Sequence, residues 1–159
     1  MAAPTPTTRV APSASVLADD GFATKITLSS VPSLQIWEKS LTALGVEGGE
    51  PIDITNMFAS SWHTSAPRSL KKLKPVKVKA FFDINAWPTL VIQVNKKQTI
   101  TLLFPNGATL CFYGFVYDIG EPEFVEGSPA MVDMMVNPTN WDYVNGVEAA
   151  PVFTSGSGT

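Results

Sequence analysis

Hydrophobic and polar positions alternate most clearly between residues 97 and 120. Ile100, Leu102 and Phe104 alternate with Thr99, Thr101 and Leu103, which is the period of a strand. Pro105, Asn106 and Gly107 then form a turn cluster, because Asn and Gly tolerate the positive φ angles of tight hairpin turns. A second strand is predicted over 108–118. Leu110, Phe112, Gly114 and Val116 share one face; Thr109, Cys111, Tyr113, Phe115 and Tyr117 share the other. Both faces are apolar at the middle, so each needs a cover. One cover is the core. In a chain this small, the candidate for the other is a second subunit.

The rest of the pattern is organised around that hairpin. Residues 23–29 alternate as a half-exposed strand, Ile26 and Leu28 against Lys25 and Thr27, and Val31-Pro32-Ser33 turns the chain. Over 34–44 a strand is preferred, with Leu34, Ile36 and Trp37 placed to pack. A helix over 36–44 competes, since Glu38, Lys39 and Leu41 suit one. A loop at 45–49 and a short strand at 51–55 follow. Residues 56–75 lack a strand period, carry Trp62 and end in cations; the expectation is a long loop with a turn of helix around 68–72. Structureless loops of that length are uncommon in compact domains and usually functional. Over 76–82, Val76, Val78, Ala80 and Phe82 alternate with Lys77, Lys79 and Phe81. Residues 83–95 stay open: Pro88 suits a helix start and Asn95 a helix end, whereas Val91, Ile92 and Val94 favour a strand. A loop at 121–129 leads to a last strand at 130–136, after which 137–142 turn away. Residues 1–20, rich in Pro, Thr, Ser and Ala, read as a flexible arm, 21–153 as one domain and 154–159 as a flexible end. Six or seven short strands with at most one or two helices predict an antiparallel β-sandwich or barrel.

Composition narrows the classes. The chain has 159 residues, 45% hydrophobic and 16% charged, enough for one real core under a surface poor in charge. Such a surface fits a protein that buries much of itself against partners. No apolar run approaches the ~20 residues that span a bilayer, and the N-terminus lacks the basic-then-apolar order of a secretory signal. A single cysteine, Cys111, makes no disulfide within the chain and fits folding in the cytosol. Net charge is −3, but its distribution says more. Arg68, Lys71, Lys72, Lys74, Lys77, Lys79, Lys96 and Lys97 hold most of the cations. From 118 to 148 the charges are all acids: Asp118, Glu121, Glu123, Glu126, Asp133, Asp142 and Glu148. Subunits charged in this way associate head to tail, basic against acidic. On charge alone, solvated loops on one globule remain the plainer reading.

Catalytic chemistry finds no foothold in the residues. His63 is the one histidine and sits in a Ser/Thr loop far in sequence from any acid, so a nucleophilic triad has nothing to build on. One His and one Cys do not make a metal site. No phosphate loop of the GxxxxGK type occurs. Glu121 and Glu123 read as a solvated loop, and Met131, Met134 and Met135 as strand packing. No enzyme, metal or cofactor is expected. A single-strand-binding barrel would need cations among its stacking aromatics, and the strand holding Phe112, Tyr113, Phe115 and Tyr117 has none.

The order of segments is distinctive. PIDIT at 51–55 is followed by the loop SSWHTSAPRSLKKLKP and the strand VKVKAFFD. After a short segment comes TITLLFPNGATLCFYGFVYDIG, then an acidic FVEG and a Met/Val strand running into NPTNWD. Over roughly 22–153 this resembles the tail tube (major tail) proteins of long non-contractile-tailed, siphovirus-type bacteriophages. The resemblance implies a β-sandwich or barrel subunit flanked by one short helix within 83–95. It also implies an extended N-terminal arm and a long inter-strand loop. Six subunits would close a ring, and rings would stack into the tube that conducts DNA, in a virion tail assembled in the host cytoplasm. Implied partners are further copies of the chain, the tape measure, tail terminator and tail tip proteins, and double-stranded DNA in transit without specific binding; no membrane is implied. The loop, with Trp62, Arg68, Leu70, Lys71, Lys72 and Lys74, would reach the adjacent ring, where Asp118, Glu121, Glu123 and Glu126 are the candidate acidic complement. Ile100, Leu102, Phe104, Gly107, Phe112, Gly114 and Phe115 would form the hairpin that carries the sheet. A basic bore would hold phosphates, so Lys77 and Lys79 are expected to point away from it or be neutralised. The competing readings are a related tube of a gene transfer particle or secretion apparatus, and a monomeric binding or adhesion module using Trp62.

Overall fold

The computed structural model describes residues 24–34, 36–58 and 61–156. The arm expected at 1–20 lies outside the described residues, as do 157–159 of the expected flexible end. Six strands make the main sheet: β1 (Lys25–Leu28), β2 (Glu38–Thr42), β7 (Val76–Phe81), β8 (Gln98–Leu103), β9 (Thr109–Ile119) and β10 (Met131–Thr139). Their order is β1-β8-β9-β10-β7-β2, antiparallel throughout, and a seventh strand, β13 (Val152–Thr154), pairs with Thr109–Cys111 of β9. The sheet is rolled. Its two outermost strands meet where the Ile26 N–H donates to Glu38 Oε1 at 2.9 Å.

Inward alternation from β1, β7, β8, β9 and β10 makes one core: Ile26, Leu28, Val76, Val78, Ile100, Leu102, Phe112, Val116, Met134 and Val136. A short helix, α1 (Trp87–Ile92), adds Leu90 to it. Among the described residues the architecture is therefore mainly antiparallel β with one short helix, as the sequence predicts. The alternative left open at 83–95 resolves as helix: Pro88 sits in the first turn, where its missing N–H costs nothing, and Asn95, at φ 63°, ends the segment. Strand wins over helix at 34–44, where Leu34, Ile36 and Leu41 pack on the core. Trp37, expected to pack, is instead 61% exposed.

Two glycines of the hairpin are dictated by geometry. Gly107 takes φ +79° in the turn, and a Cβ on Gly114 would stand 2.7 Å from the Asn137 carbonyl oxygen of β10. That approach comes from an extension of β10 beyond the expected strand end. Asn137, Pro138 and Thr139 do not turn away; they pair with Phe115, Gly114 and Tyr113. Pro138 is tolerated because β7 pairs only with 131–136, so no neighbour on that side asks for its N–H.

Candidate assembly surface

The segment expected as a loop is a hydrogen-bonded arm. Beyond the Thr42 and Val76 ends of β2 and β7, the chain continues as β3 (Gly45–Glu47) against β6 (Lys72–Lys74), then β4 (Ile52–Asp53) against β5 (Ser65–Ala66). This corrects two expectations. Residues 45–49 are not simply a loop, and no turn of helix forms around 68–72: residues 68–71 are irregular and Lys72 opens β6. Further out, polar groups take over. Ile54 N–H donates to the Thr64 carbonyl at 2.9 Å, Thr64 N–H to Thr55 Oγ1 at 2.8 Å, and Thr55 N–H to Asp53 Oδ1 at 2.8 Å. His63 lies 3.7 Å from Asp53 and 3.2 Å from the Thr55 hydroxyl, within this polar cluster of the arm. Lower down, Arg68 Nε donates to the Glu50 carbonyl at 2.8 Å.

The arm leaves apolar side chains in solvent. Met57 is 100% exposed, Phe58 96% and Trp62 86%, while Val46, Ile52, Ile54 and Leu70 are also exposed. Burying a side chain of this size is worth roughly 1.5–3 kcal/mol, and exposed apolar side chains gathered on one element are the kind of surface that marks interaction sites. Trp62 and Leu70 were legible as candidates. Met57 and Phe58 were missed, although an apolar pair inside a polar stretch was the available signal.

The charged candidates fall into two places. Lys71, Lys72 and Lys74 lie exposed on the returning limb of the arm, beside Arg68. Glu121, Glu123 and Glu126 lie exposed in the β9–β10 connection, at the far end of the β2–β7 ladder, where Glu123 bridges to Met131 and Met131 pairs with Phe81. Asp118, opposite Met135, is exposed nearer the middle of the sheet. Among the described residues the ion pair between a Lys or Arg and an acid is Lys79–Asp133 at 4.0 Å. The two clusters therefore do not meet within one chain.

The hairpin's second face is covered in part by the chain itself. After β10, β11 (Trp141–Asp142) pairs with β12 (Val147–Glu148), so 130–136 is not the last strand. Tyr143, between them, stacks edge-on against Tyr113 with ring centroids 6.3 Å apart and sits 3.0 Å from the Thr139 hydroxyl; Lys97 Nζ lies 4.8 Å over its ring. Asp142 holds this hairpin from beneath. It accepts the Asn145 side-chain amide at 2.6 Å and the Val144 N–H at 2.8 Å, and these bonds keep its carboxyl below the usual carboxylate range. The same face stays open further along: Phe115 is half-buried and Tyr117 is 40% exposed. Of the other hairpin candidates, Ile100, Leu102 and Phe112 are buried in the core, and Phe104 packs at its margin.

A chain solved in the virion of a native gene transfer agent (GTA) particle aligns with 87% of this chain and 100% of its own length, at a TM-score of 0.59 and 12% identity. The two share a fold. A chain from the tail of an empty GTA particle, a structure with C6 symmetry, is less similar, at a TM-score of 0.48 and 11% identity over 72% of this chain and 82% of that one. No family model matches the sequence, and no curated protein does.

Proposed function

We propose that this chain is a structural virion protein that assembles with copies of itself into stacked hexameric rings, forming a tail tube through which a genome is delivered. The observation that carries the reading is the fold shared with the GTA virion chain over that chain's whole length. The exposed apolar arm supports it, because a self-sufficient monomer has no use for Met57, Phe58 and Trp62 in water. The arm is the inter-ring element, with Arg68, Leu70, Lys71, Lys72 and Lys74 facing the acids of the next ring. Its partners are other copies, then tape measure, terminator and tip proteins at the ends. DNA passes without being held: Lys79 is met by Asp133, so that position offers phosphates little net charge. The role is architectural rather than enzymatic, and the working location is the tail of a particle.

Sedimentation and negative-stain microscopy of the purified chain test this reading. Rings with six-fold end views, or tubes built from them, support it. A monomer at every concentration contradicts it and favours an adhesion module with Trp62 in its binding loop.

A further inference from the structure

Strand edges of the main sheet are blocked by devices of unequal strength. β1 and β2 meet across the Glu38 seam, and residues 137–139 of β10, beyond the reach of β7, carry Pro138. The edge of β9 is blocked differently. β8 pairs with one side of it from Thr109 to Gly114, whereas β10 takes the other side only from Tyr113 onward. Residues 109–111 would stand open on that side but for β13, which sets Val152 opposite Cys111, Phe153 opposite Leu110 and Thr154 opposite Thr109. The strand beneath is a hazard if bared. From Gln98 to Tyr117 the sequence has no charged residue, and Thr, Leu, Cys, Phe and Tyr fill 109–113. An uncharged edge of β-forming residues is a template for pairing with another chain.

β13 is held lightly along its length and fitted at its ends. Val152 is 62% exposed and Phe153 65%; the ring of Phe153 meets Phe104 with centroids 6.5 Å apart. Short ladders with so little burial open far more readily than the core. Past the strand, Gly156 lies on the turn at 105–107: a Cβ there would collide with the Asn106 carbonyl oxygen and stand 2.7 Å from the Ala108 nitrogen. Before the strand, Ala149 N–H donates to the Asn140 carbonyl at 3.0 Å, which leaves Ala150 and Pro151 as the tether. Glycine at 156 thus lets the segment seat, and the tether returns it to the same edge. The edge that β13 itself presents is three residues long with Pro151 ahead of it, and short edges beside a proline pair poorly.

We propose that β13 is an edge guard. While it is seated, the chain does not pair through 109–111; once it lifts, that edge pairs antiparallel with the same edge of a second copy. The occupant is a second copy because the segment is its own complement: Leu110 falls opposite Leu110, Thr109 opposite Cys111, and no like charges oppose one another. Such a contact uses one patch on both copies and closes as a dimer, which diverts subunits from any larger assembly. The guard stands whether or not the tube reading does.

The test compares Gly156→Ala, which unseats the strand, with Val152→Cys/Gly156→Ala, in which oxidation joins position 152 to Cys111. Opposed residues of an antiparallel pair stand about 4.5–5.5 Å apart at Cα, within reach of a disulfide. In reductant, at a concentration where the parent chain is monomeric, hydrogen exchange at 109–111 is expected to rise about tenfold in Gly156→Ala, and sedimentation to show a dimer. Oxidised Val152→Cys/Gly156→Ala should return to the parent's exchange and to monomer, and reductant should restore the dimer. If alanine at 156 is accommodated, Val152→Pro/Phe153→Pro removes N–H donors from the ladder and lifts the strand instead. A bared edge that leaves the chain monomeric, exchange unchanged in both lifting variants, a dimer that persists in the locked form, or thiols at 111 and 152 that do not join within one chain overturns the guard.

Discussion

The backbone N–H of Ile26 donates to the Glu38 carboxylate at 2.9 Å, joining the first strand of the rolled sheet to the last. Glu38 can reach because β2 shifts register between Glu38 and Ser40. The shift lets Glu38, opposite Ala80, and Leu41, opposite Val78, both face the interior; an unbroken ladder would have turned Ser40 inward instead.

Removing that acceptor should loosen the seam. Glu38→Ala is expected to lower stability by about 1.5 kcal/mol, the worth of a hydrogen bond to a charged group. Glu38→Gln, which keeps a carbonyl acceptor, should lose less. Urea midpoints of the two variants, with unchanged slope, are the measurement; equal midpoints would mean the seam is held by packing alone.

Gly114→Ala is expected to cost about 1–3 kcal/mol, as overpacking does. The new methyl would meet the Asn137 carbonyl, a backbone atom that cannot swing aside, at 2.7 Å. Thermal unfolding compares it with Gly48→Ala, where a Cβ meets nothing within 4 Å. Similar losses at both sites would show that β10 does not approach β9 so closely.

Charge reversal at Lys71 and Lys72 separates assembly from folding. Both side chains are exposed, so the double substitution to Glu should leave monomer stability within about 0.5 kcal/mol. Tubes should be shorter, and the defect should shrink at high salt as screening weakens the repulsion it introduces. Tube length by electron microscopy at two salt concentrations is the readout. Unchanged length would remove the acids of 121–126 as the partners of these lysines.

The hairpin carrying Tyr143 should be acid-sensitive through Asp142. Its carboxyl is held below the ordinary value by the Asn145 amide first and the Val144 N–H second. A depressed native pKa means that the stabilisation is complete above the unfolded value of about 3.9 and is lost as pH falls through the native one. Hydrogen exchange at Val144 and Asn145 should therefore stay protected at neutral pH and open below about pH 4. Asp142→Asn should flatten that dependence.

Much of this fold was legible because burial writes itself as alternation. The 98–119 hairpin, β1, β7 and most of β10 put one apolar residue in every two toward a single core, and the period is plain. The arm was opaque for the opposite reason. Gly45–Glu47 pairs with Lys72–Lys74 across a long excursion and buries almost nothing, so no period marks it. Trp37 shows the limit on a single side chain: the strand around it was readable, yet the register shift after Glu38 has no signature in composition. Pro138 misled because a proline usually stops a ladder, and only the short reach of β7 on that side lets this one stay. The acids and cations were found as groups, but their placement at two ends of one ladder needed the pairing of β2 with β7.

The most direct test of the central claim is a helical reconstruction of particles assembled from the purified chain. The account predicts six copies per ring and arms that cross to the adjacent ring, with Phe58 and Trp62 buried there. Rings in which those side chains remain in solvent, or a chain that never leaves the monomer, would contradict it.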